Sequence, residues 1–394
     1  RPPRSTPSNS SAASDVYKRQ PNIDEFLKTP AGQTRDECYF NLLKAAYEEI
    51  KSIDSQLKVV AMNTSGGAMR SGISPNYISA DDLNWGFLAF IKAVNQRGGT
   101  NYYDILAVHP YTITGVRPNK KVLPPDEGGV VEALDSIRAN LALYGAANKP
   151  IWYTEIGYPI EYPDTDPITE QQQADYLIRL YGLAAGYQVQ HIEIMYVTDI
   201  IYGGDGSARK FGLFDNGRFR PQALALQYMI EEIPDPAKLF IQRYELNNQE
   251  DYAFLFKKED GTKVILCWTN DDYEKEVLLP AEGYKAEIVD LYGNSQGKII
   301  QGDSLSVELS GTPCYLKLYS AVGSWGTIKG TITDYDLNLP VKGATVELWQ
   351  SASLVTKTLT NSEGKYQISY LPLGNYEIRV KRDGYQTGIK SNNN

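Results

Sequence analysis

Three of the apolar, strand-like segments of this sequence end in polar side chains, and these are of types that can take part in reactions with electrophiles. Glu155 stands near the end of IWYTEIGY, His109 and Tyr111 close YDILAVHPY, and Tyr196 and Asp199 close HIEIMYVTD. A carboxylate so close to an apolar run is costly unless it is solvated or hydrogen-bonded. Glu155 is therefore either one half of a structural ion pair or an ionised group that attacks carbon or moves a proton. We predict the catalytic role.

The elements that position these residues alternate between helix and strand from Pro21 to about Ile233. The pattern predicts helices at 34–52, 81–96, 128–143 and 221–232, a further helix starting at a Thr169–Gln172 capping box, and strands at 57–62, 103–111, 151–158 and 191–199. Nearly continuous apolar strands separated by helices are typical of parallel sheets covered on both faces. The pattern predicts about half of an eightfold βα barrel, in which functional groups lie at the carboxyl ends of the strands.

After this region the pattern changes to short alternating strands. Segments such as DYAFLFKK, KVILCWTN and PCYLKLYS predict an antiparallel β-sandwich. Four later strands, together with the turn sequences NSEG, LPLGN and RDGY, predict a small all-β module. The predicted fold class is therefore α/β, with the C-terminal half of a (β/α)8 barrel at 21–235, a β-sandwich at 236–321 and an immunoglobulin- or prealbumin-like module at 326–390.

Composition argues against several other classes of protein. The 394-residue chain has a formal net charge of −9 and no block of Lys or Arg, which is unfavourable for binding nucleic acid. No apolar run approaches the roughly 18 residues that a membrane span needs. Three cysteines exclude a disulfide scaffold and a Cys-based zinc site. The sequence allows a Cys267–Cys314 bridge, but we expect three separate buried thiols, including Cys38. No cofactor or metal site is predicted.

Three of the segments resemble clan A retaining glycoside hydrolases, in particular family 39-like and family 5-like barrels. KPIWYTEIGYP resembles their seventh-strand motif, whose Glu is the nucleophile, and YDILAVHPYT resembles their sixth strand, whose His and Tyr line the sugar site. FGLFDNGRFRPQALALQYM resembles the segment after their eighth strand. The resemblance implies that Glu155 is the nucleophile and that His109 and Tyr111 contact the sugar. Tyr111 is expected to donate to the Glu155 carboxylate, whereas a buried core histidine is the alternative for His109.

Other residues of the predicted half barrel are given their expected roles from their positions in the strands and loops. Tyr196 and Asp199 either bind sugar hydroxyls or pack at the rim. Trp152 is expected between the barrel and its helices, because it alternates with Glu155 along the strand. His191 is expected to open its strand at the face opposite the site and to be structural. The GGDGS loop at 203–207 lacks the carboxylate spacing of a calcium site and is predicted to be a rim loop.

The residues before Pro21 follow no folding pattern. SSAASDVYKRQ is similar to the translation of a transposase adapter used in sequencing libraries, so residues 1–20 are predicted to be non-native and disordered. Many clan A enzymes carry their acid/base Glu in a fourth-strand Trp-Asn-Glu-Pro-Asn motif, and here Arg19 and Gln20 precede Pro21 and Asn22. The resemblance therefore implies that the acid/base Glu and the first half of the barrel are absent. Negligible hydrolase activity is expected of the chain.

The C-terminal module resembles the carboxypeptidase regulatory-like fold. The resemblance is carried by LPVKGATVEL and TNSEGKYQISYLPLGNYEIRV, and no catalytic group gathers in them. It implies a spacer or adhesion module, which favours an extracellular or cell-surface location.

Two functions of different classes remain open from the sequence, and a transglycosylase would use the same residues as the first. The first is a retaining glycoside hydrolase that cleaves O-glycosidic bonds of a poly- or oligosaccharide. The alternative is a non-catalytic carbohydrate-binding or surface-structural protein with a degenerate barrel. A carbohydrate is the expected partner in both, and the sugar, its linkage and the oligomeric state stay undetermined.

Overall fold

The computed structural model describes residues 20–23, 27–65, 86–114, 120–163, 165–201, 208–271, 273–280, 284–300, 304–320, 325–350, 353–372, 374–385 and 388–393. The predictions for residues 1–19, for the first part of the 81–96 helix and for the 203–207 loop lie outside the described residues. The chain divides into two compact units, Arg1–Ala223 with Pro236–Lys238 and Leu224–Asp235 with Leu239–Asn394.

The first unit is built from alternating helices and strands. Its helices are α1 (Arg35–Ile53), α2 (Phe87–Gln96), α3 (Val130–Leu143) and α4 (Glu170–Gly186), followed by α5 (Pro221–Glu232), which crosses into the second unit, and by the short α6 (Pro236–Leu239). Its longer strands are β1 (Val60–Ser65), β2 (Ile105–His109), β5 (Ile151–Ile156) and β6 (Val189–Ile194). Two-residue strands form the ladders β3–β4 (Ile113–Thr114 with Lys121–Val122), β7–β8 (Ile200–Ile201 with Ala208–Arg209) and β9–β10 (Phe214–Asp215 with Arg218–Phe219).

The four longer strands form one parallel sheet in the order β1-β2-β5-β6. Every residue of β2 is buried, as expected for an apolar strand with a neighbour on each side and cover on both faces. Strand β6 departs from the predicted pattern, because it is an edge of the described sheet and exposes residues such as Gln190 and Glu193. The sheet therefore has the order of consecutive barrel strands without closure.

Local sequence rules account for most of the helix bounds. The predicted capping box is present, because the Thr169 hydroxyl accepts from the Gln172 backbone N–H and the Gln172 side chain accepts from that of Thr169. Helix α5 has the predicted bounds. Strands β1 and β6 each lie two or three residues from their predicted starts, since apolar runs mark a strand's existence better than its ends.

Trp152 corrects one of the predictions. It packs against the cluster of Val60, Ile105 and Ala107 and lies 4.8 Å from the His191 ring. The neighbouring Tyr153 is instead the fully buried residue beside Arg138 of α3. The expectation that Trp152 packs against the helices was wrong. That expectation assumed regular alternation between Trp152 and Glu155, whereas the strand is irregular between Tyr153 and Ile156. His191 is third in its strand rather than first.

The second unit contains the predicted antiparallel sandwich. Its strands are β11 (Phe240–Arg243), β12 (Asp251–Lys257), β13 (Lys263–Thr269), β14 (Lys275–Pro280), β15 (Tyr284–Val289), β16 (Ser295–Ile300), β17 (Ser304–Leu309) and β18 (Cys314–Ser320). They form a six-stranded sheet, in the order β11-β12-β13-β18-β15-β16, and a two-stranded sheet, β14-β17. Alternate residues of both sheets, such as Ile265, Leu279, Val307 and Leu316, share one buried core. This is the arrangement of a sandwich.

The all-β module follows with strands β19 (Trp325–Thr331), β20 (Thr345–Gln350), β21 (Ser353–Leu359), β22 (Lys365–Pro372), β23 (Asn375–Lys381) and β24 (Gly388–Asn393). Strands β19 and β22 pair with each other, and the other four form a sheet in the order β21-β20-β23-β24. The module has its own core, in which Val346 and Leu348 are fully buried.

The cysteines are free thiols, but their burial differs from the prediction. Cys267 is buried, whereas Cys38 and Cys314 are only partly buried. Cys267 and Cys314 lie directly opposite each other on β13 and β18, so they are not separate. Within the described ranges, none of the helices combines the length and the apolar character that crossing a bilayer requires.

Candidate active site

Two irregular strand ends aim polar side chains at one edge of the parallel sheet. Between Tyr153 and Ile156 the pairing of β5 with β6 skips a residue, and between Met62 and Thr64 the pairing of β1 with β2 does the same. A bulge of this kind breaks the two-residue alternation and turns an extra side chain. In β5 it lets Thr154 and Glu155 both contact residues at the carboxyl edge. In β1 the extra residue is Asn63, whose φ is +43°.

Glu155 is held by Tyr111 from the neighbouring strand end. The Tyr111 hydroxyl donates to Glu155 Oε1 at 2.7 Å, and the Glu155 side chain retains 15% of its exposure. The Met195 Sδ lies 2.8 Å from the same hydroxyl, but a thioether is a weak acceptor and the carboxylate takes the single proton. Burial, together with the negative charge of Glu155, holds the pKa of Tyr111 well above its ordinary value. Tyr111 therefore stays a donor at neutral pH.

His109 is the buried centre of a hydrogen-bond chain across three strands. Thr154 donates its hydroxyl proton to Asn63 Oδ1 at 2.9 Å and so accepts from His109 Nε2 at 3.1 Å. The other nitrogen, Nδ1, then carries the lone pair that accepts from the Gln20 amide at 3.2 Å. This order of donors describes a neutral imidazole protonated at Nε2. Nδ1 lies 4.0 Å from Glu155 Oε2.

Gln20 is held at the site by two contacts, so the predicted disorder of residues 1–20 was wrong for this last residue. Its side-chain amide reaches His109, and its backbone N–H donates to the Asn63 carbonyl at 3.1 Å. Because His109 Nδ1 is 3.2 Å from Gln20 Nε2 and 4.0 Å from Glu155 Oε2, the Gln20 amide nitrogen lies within about 7 Å of the Glu155 carboxylate. This is an upper limit, so it allows the separation of about 5–5.5 Å that paired carboxyl groups have in retaining glycosidases.

Aromatic rings form the wall beside Glu155. Phe211 is buried, and the rings of Tyr111, Tyr162 and Tyr196 meet it edge-on, with centroids 6.0 to 6.2 Å away. Gly157 permits this approach, because a Cβ there would lie 2.5 Å from the Met195 carbonyl oxygen and 2.8 Å from the Phe211 ring. The structure thus brings Tyr196 to the same wall as Tyr111.

Asp199 lies in an ion pair. Arg220, whose side chain is 1% exposed, donates from Nη1 and Nη2 to the two oxygens of Asp199 at 2.8 and 2.6 Å. The Gly212 backbone N–H also donates to Oδ1, at 2.9 Å. A Cβ on Gly212 would lie 2.7 Å from the Asp199 nitrogen, so this segment requires glycine. These contacts make Asp199 an anchor for the chain after β6, and a sugar contact by Asp199 stays a prediction.

Comparisons with known proteins support the fold. A search of curated protein sequences finds no match, whereas a search of solved structures finds many. A family 39 glycoside hydrolase from the gut symbiont Bacteroides cellulosilyticus WH2 superposes with a TM-score of 0.50 at 17% identity over 71% of this chain and 55% of its own. The chain thus spans about half the length of that enzyme. At this identity the likeness shows the fold alone, and the matched part of the chain has a glycoside hydrolase-like fold.

Other solved structures match less closely. A monomeric β-xylosidase from Caulobacter crescentus CB15 has a TM-score of 0.47 and 15% identity, over 77% of this chain and 69% of that one. A family 51 arabinofuranosidase from Xanthomonas axonopodis pv. citri has a TM-score of 0.44 and 15% identity, over 71% and 63%. Residues 327–393 match the family model of the carboxypeptidase regulatory-like domain. The predicted fold class and both resemblances are therefore confirmed, the first at the level of fold.

Sequence reasoning did not assign a role to three residues that the structure brings to the site. Asn63 directly follows the predicted strand 57–62 and Thr154 directly precedes Glu155, so their positions alone could have marked them. Phe211 stands in the segment after the predicted last strand, and its contact with three tyrosines follows only from the tertiary fold.

Proposed function

We propose that Glu155 is the nucleophile of a retaining glycoside hydrolase that cleaves O-glycosidic bonds of a poly- or oligosaccharide. The observation that carries this proposal is the position of its carboxylate, at a strand end of a glycosidase-like sheet, hydrogen-bonded by Tyr111 at 2.7 Å. An oriented carboxylate that keeps partial exposure is suited to attack a sugar carbon. The hydrogen bond leaves the second oxygen, Oε2, on the side of His109.

The retaining reaction divides its work between two carboxyl groups about 5–5.5 Å apart. In the first step the nucleophile bonds to the anomeric carbon while the partner protonates the departing oxygen. In the second step water, deprotonated by the partner, displaces the nucleophile. We assign Glu155 to the attacking role. His109 and Tyr196 would line the sugar, Tyr111 would orient the nucleophile, and Asp199 would act through the anchored segment that carries Tyr196.

Position 20 explains why the chain is expected to be slow on ordinary glycosides. The Gln20 amide lies within about 7 Å of Glu155, and we assign to it the position at which a partner carboxyl would act. An amide neither gives nor takes a proton at neutral pH, so Gln20 itself cannot assist the departing oxygen. Loss of such assistance costs about 10²–10⁴-fold in rate. Glycosides whose leaving group departs without protonation avoid this loss.

A mechanism-based label tests the nucleophile without a partner carboxyl. The probe is a panel of 2,4-dinitrophenyl 2-deoxy-2-fluoro glycosides, whose leaving group needs no proton and whose fluorine slows release of the covalent intermediate. Peptide mapping is expected to find one sugar bound to Glu155. The Glu155→Gln variant should take no label. Glu193→Gln, which changes an exposed carboxylate of β6, should be labelled like the parent.

The outcomes separate the two candidate functions. Label on a different carboxylate would show that the nucleophile is wrongly assigned. Saturable binding of the same glycosides without any label would favour the non-catalytic carbohydrate-binding protein, which the amide at position 20 also suits.

We also propose an extracellular or cell-surface location. The support is the carboxypeptidase regulatory-like match at residues 327–393 and the polysaccharide substrate proposed above. Fractionation of cells that produce this protein from its own gene tests this, and recovery in the cytoplasmic fraction alone would contradict it.

A further inference from the structure

Cys267 and Cys314 form a cross-strand pair in the sandwich. They are register partners on the antiparallel strands β13 and β18, and their sulfur atoms lie 3.5 Å apart. Directly opposed residues in such a ladder have Cα atoms about 4.5 or 5.5 Å apart, depending on the hydrogen-bonding position. Both values fall within the range of about 4.4–6.8 Å that a disulfide accepts. The two sulfurs therefore need only a side-chain adjustment to reach bonding distance.

The place of this pair in the sheet gives a bond there a mechanical consequence. In the order β11-β12-β13-β18-β15-β16, the seam between β13 and β18 has three strands on each side. Both sulfurs face the sandwich core, because Cys267 belongs to its buried cluster and Cys314 packs against it. A bond across the seam would link the two halves of the sheet. It would also close a loop between residues that are 47 positions apart in the chain.

We propose that Cys267 and Cys314 are a disulfide-forming site, oxidised by a low-molecular-weight disulfide such as oxidised glutathione. In the first step one protein thiolate attacks a glutathione sulfur, which breaks the glutathione S–S bond and releases one glutathione thiolate. In the second step the other cysteine attacks the protein-bound sulfur and releases the second glutathione thiolate. The protein loses two electrons and two protons, and one oxidised glutathione becomes two reduced molecules.

The two cysteines have different parts in this exchange. Cys314 is partly exposed, whereas Cys267 is buried, so Cys314 is the less enclosed of the two. The hydrogen bond with Cys314, and burial, also raise the pKa of the Cys267 thiol, which disfavours its thiolate as the first attacker. Cys314 therefore takes the glutathione first, and Cys267 resolves the mixed disulfide. The bond forms slowly, since the resolving thiol is reluctant to ionise.

Thiol counting on the full chain tests the proposal. The protein is incubated with oxidised glutathione, quenched, alkylated with iodoacetamide in denaturant and peptide-mapped. Three alkylated cysteines are expected before oxidation. Afterwards a linked Cys267–Cys314 peptide that dithiothreitol separates is expected, with Cys38 outside the link and either alkylated or bound to glutathione. The oxidised chain should also unfold about 5–10 °C higher in the transition of the sandwich, since closing a long loop restricts the unfolded state.

Two variants keep the result interpretable. Cys38→Ser should oxidise like the parent, whereas Cys314→Ser should keep a reduced Cys267 even after long incubation. Glutathione retained on Cys314 without transfer to Cys267 would overturn the proposal. Three fully alkylated cysteines after oxidation, or a bridge that involves Cys38, would also overturn it. The test does not depend on glycosidase activity.

Discussion

The Tyr111 hydroxyl donates to Oε1 of Glu155 across the carboxyl ends of two adjacent parallel strands. These residues are 44 positions apart in the chain, and they meet because β2 and β5 are neighbours in the sheet. The β5 bulge turns Glu155 toward Tyr111, and Phe211 packs edge-on against the Tyr111 ring. Phe211 therefore supports the position of the Glu155 carboxylate indirectly, through the Tyr111 ring.

Removing this hydroxyl should slow attack by Glu155. Tyr111→Phe keeps the ring against Phe211 but removes a hydrogen bond to a charged group, which is worth about 1.5–3 kcal/mol. We expect the maximal rate of labelling by a 2-fluoro glycoside to fall about 10- to 100-fold, with little change in the concentration that half-saturates it. Stopped-time peptide mapping measures both quantities.

Tyr162→Phe is the matched control for this experiment. Its ring also meets Phe211, so the variant loses a hydroxyl from the same aromatic wall and should label at the parental rate. An equal loss in both variants would mean that Tyr111 acts only through packing.

Placing a carboxyl group at position 20 should restore proton transfer. In Gln20→Glu the new acid would lie within about 7 Å of Glu155 and should accelerate hydrolysis of aryl glycosides by about 10²–10⁴-fold. The gain should grow as the leaving group becomes more basic, because only such groups need a proton. Initial rates over a series of substituted phenyl glycosides measure this. Gln20→Ala provides the comparison without a new acid, and a gain that is independent of the leaving group would contradict the assignment.

The helices and the order of elements were predictable because they follow from local patterns. Thr169 and Gln172 predict a helix start by reciprocal hydrogen bonds, and an alternating apolar pattern predicts the sandwich strands. Trp152 was misplaced because a bulge shifts the period of its strand, and a bulge leaves no mark in hydrophobicity alone. The pairing of Cys267 with Cys314 was not favoured, since strand register between distant segments depends on tertiary packing.

The candidate site was partly predictable for a different reason. Strand ends in a parallel sheet meet at one edge, which indicates Glu155, His109 and Tyr111 together. The ion pair of Asp199 with Arg220 could not be foreseen, because the carboxylate alone is equally suited to a sugar. The contact of Gln20 with His109 is also tertiary, since 89 positions separate the two residues.

Glu232 should make the sandwich unit sensitive to acid. It is 5% exposed and accepts from Lys258 and Lys317, each at 3.0 Å. Burial alone would raise its pKa, but the two ammonium groups outweigh this and lower it from the ordinary value of 4.5. The unfolded state then takes up the proton first, so the stabilisation is complete above pH 4.5 and is lost as the pH falls through the lower, folded value.

The Glu232→Gln variant tests the predicted direction of this pH dependence of stability. It should be about 1–3 kcal/mol less stable at neutral pH, and the difference from the parent should shrink in acid. Urea unfolding of the full chain, followed through the buried Trp268, measures the free energy at several pH values. Glu308→Gln changes an exposed carboxylate of the same sandwich and should have little effect. A Glu232→Gln difference that is constant with pH would refute the proposed charge interaction.

The C-terminal module should fold when it is separated from the rest of the chain. Residues 325–393 contain six strands and a core in which Val346 and Leu348 are fully buried, and the family match covers nearly the same range. A domain of this size has a small margin of stability. Leu348→Ala should therefore cost about 2–5 kcal/mol of the free energy of unfolding and leave most of the isolated module unfolded at room temperature.

Leu354→Ala is the control, because it removes the same atoms from a residue that is 43% exposed and should change the midpoint little. Thermal unfolding followed by circular dichroism distinguishes these cases. A broad, non-cooperative transition of the unmodified module would show that its core requires the preceding sandwich.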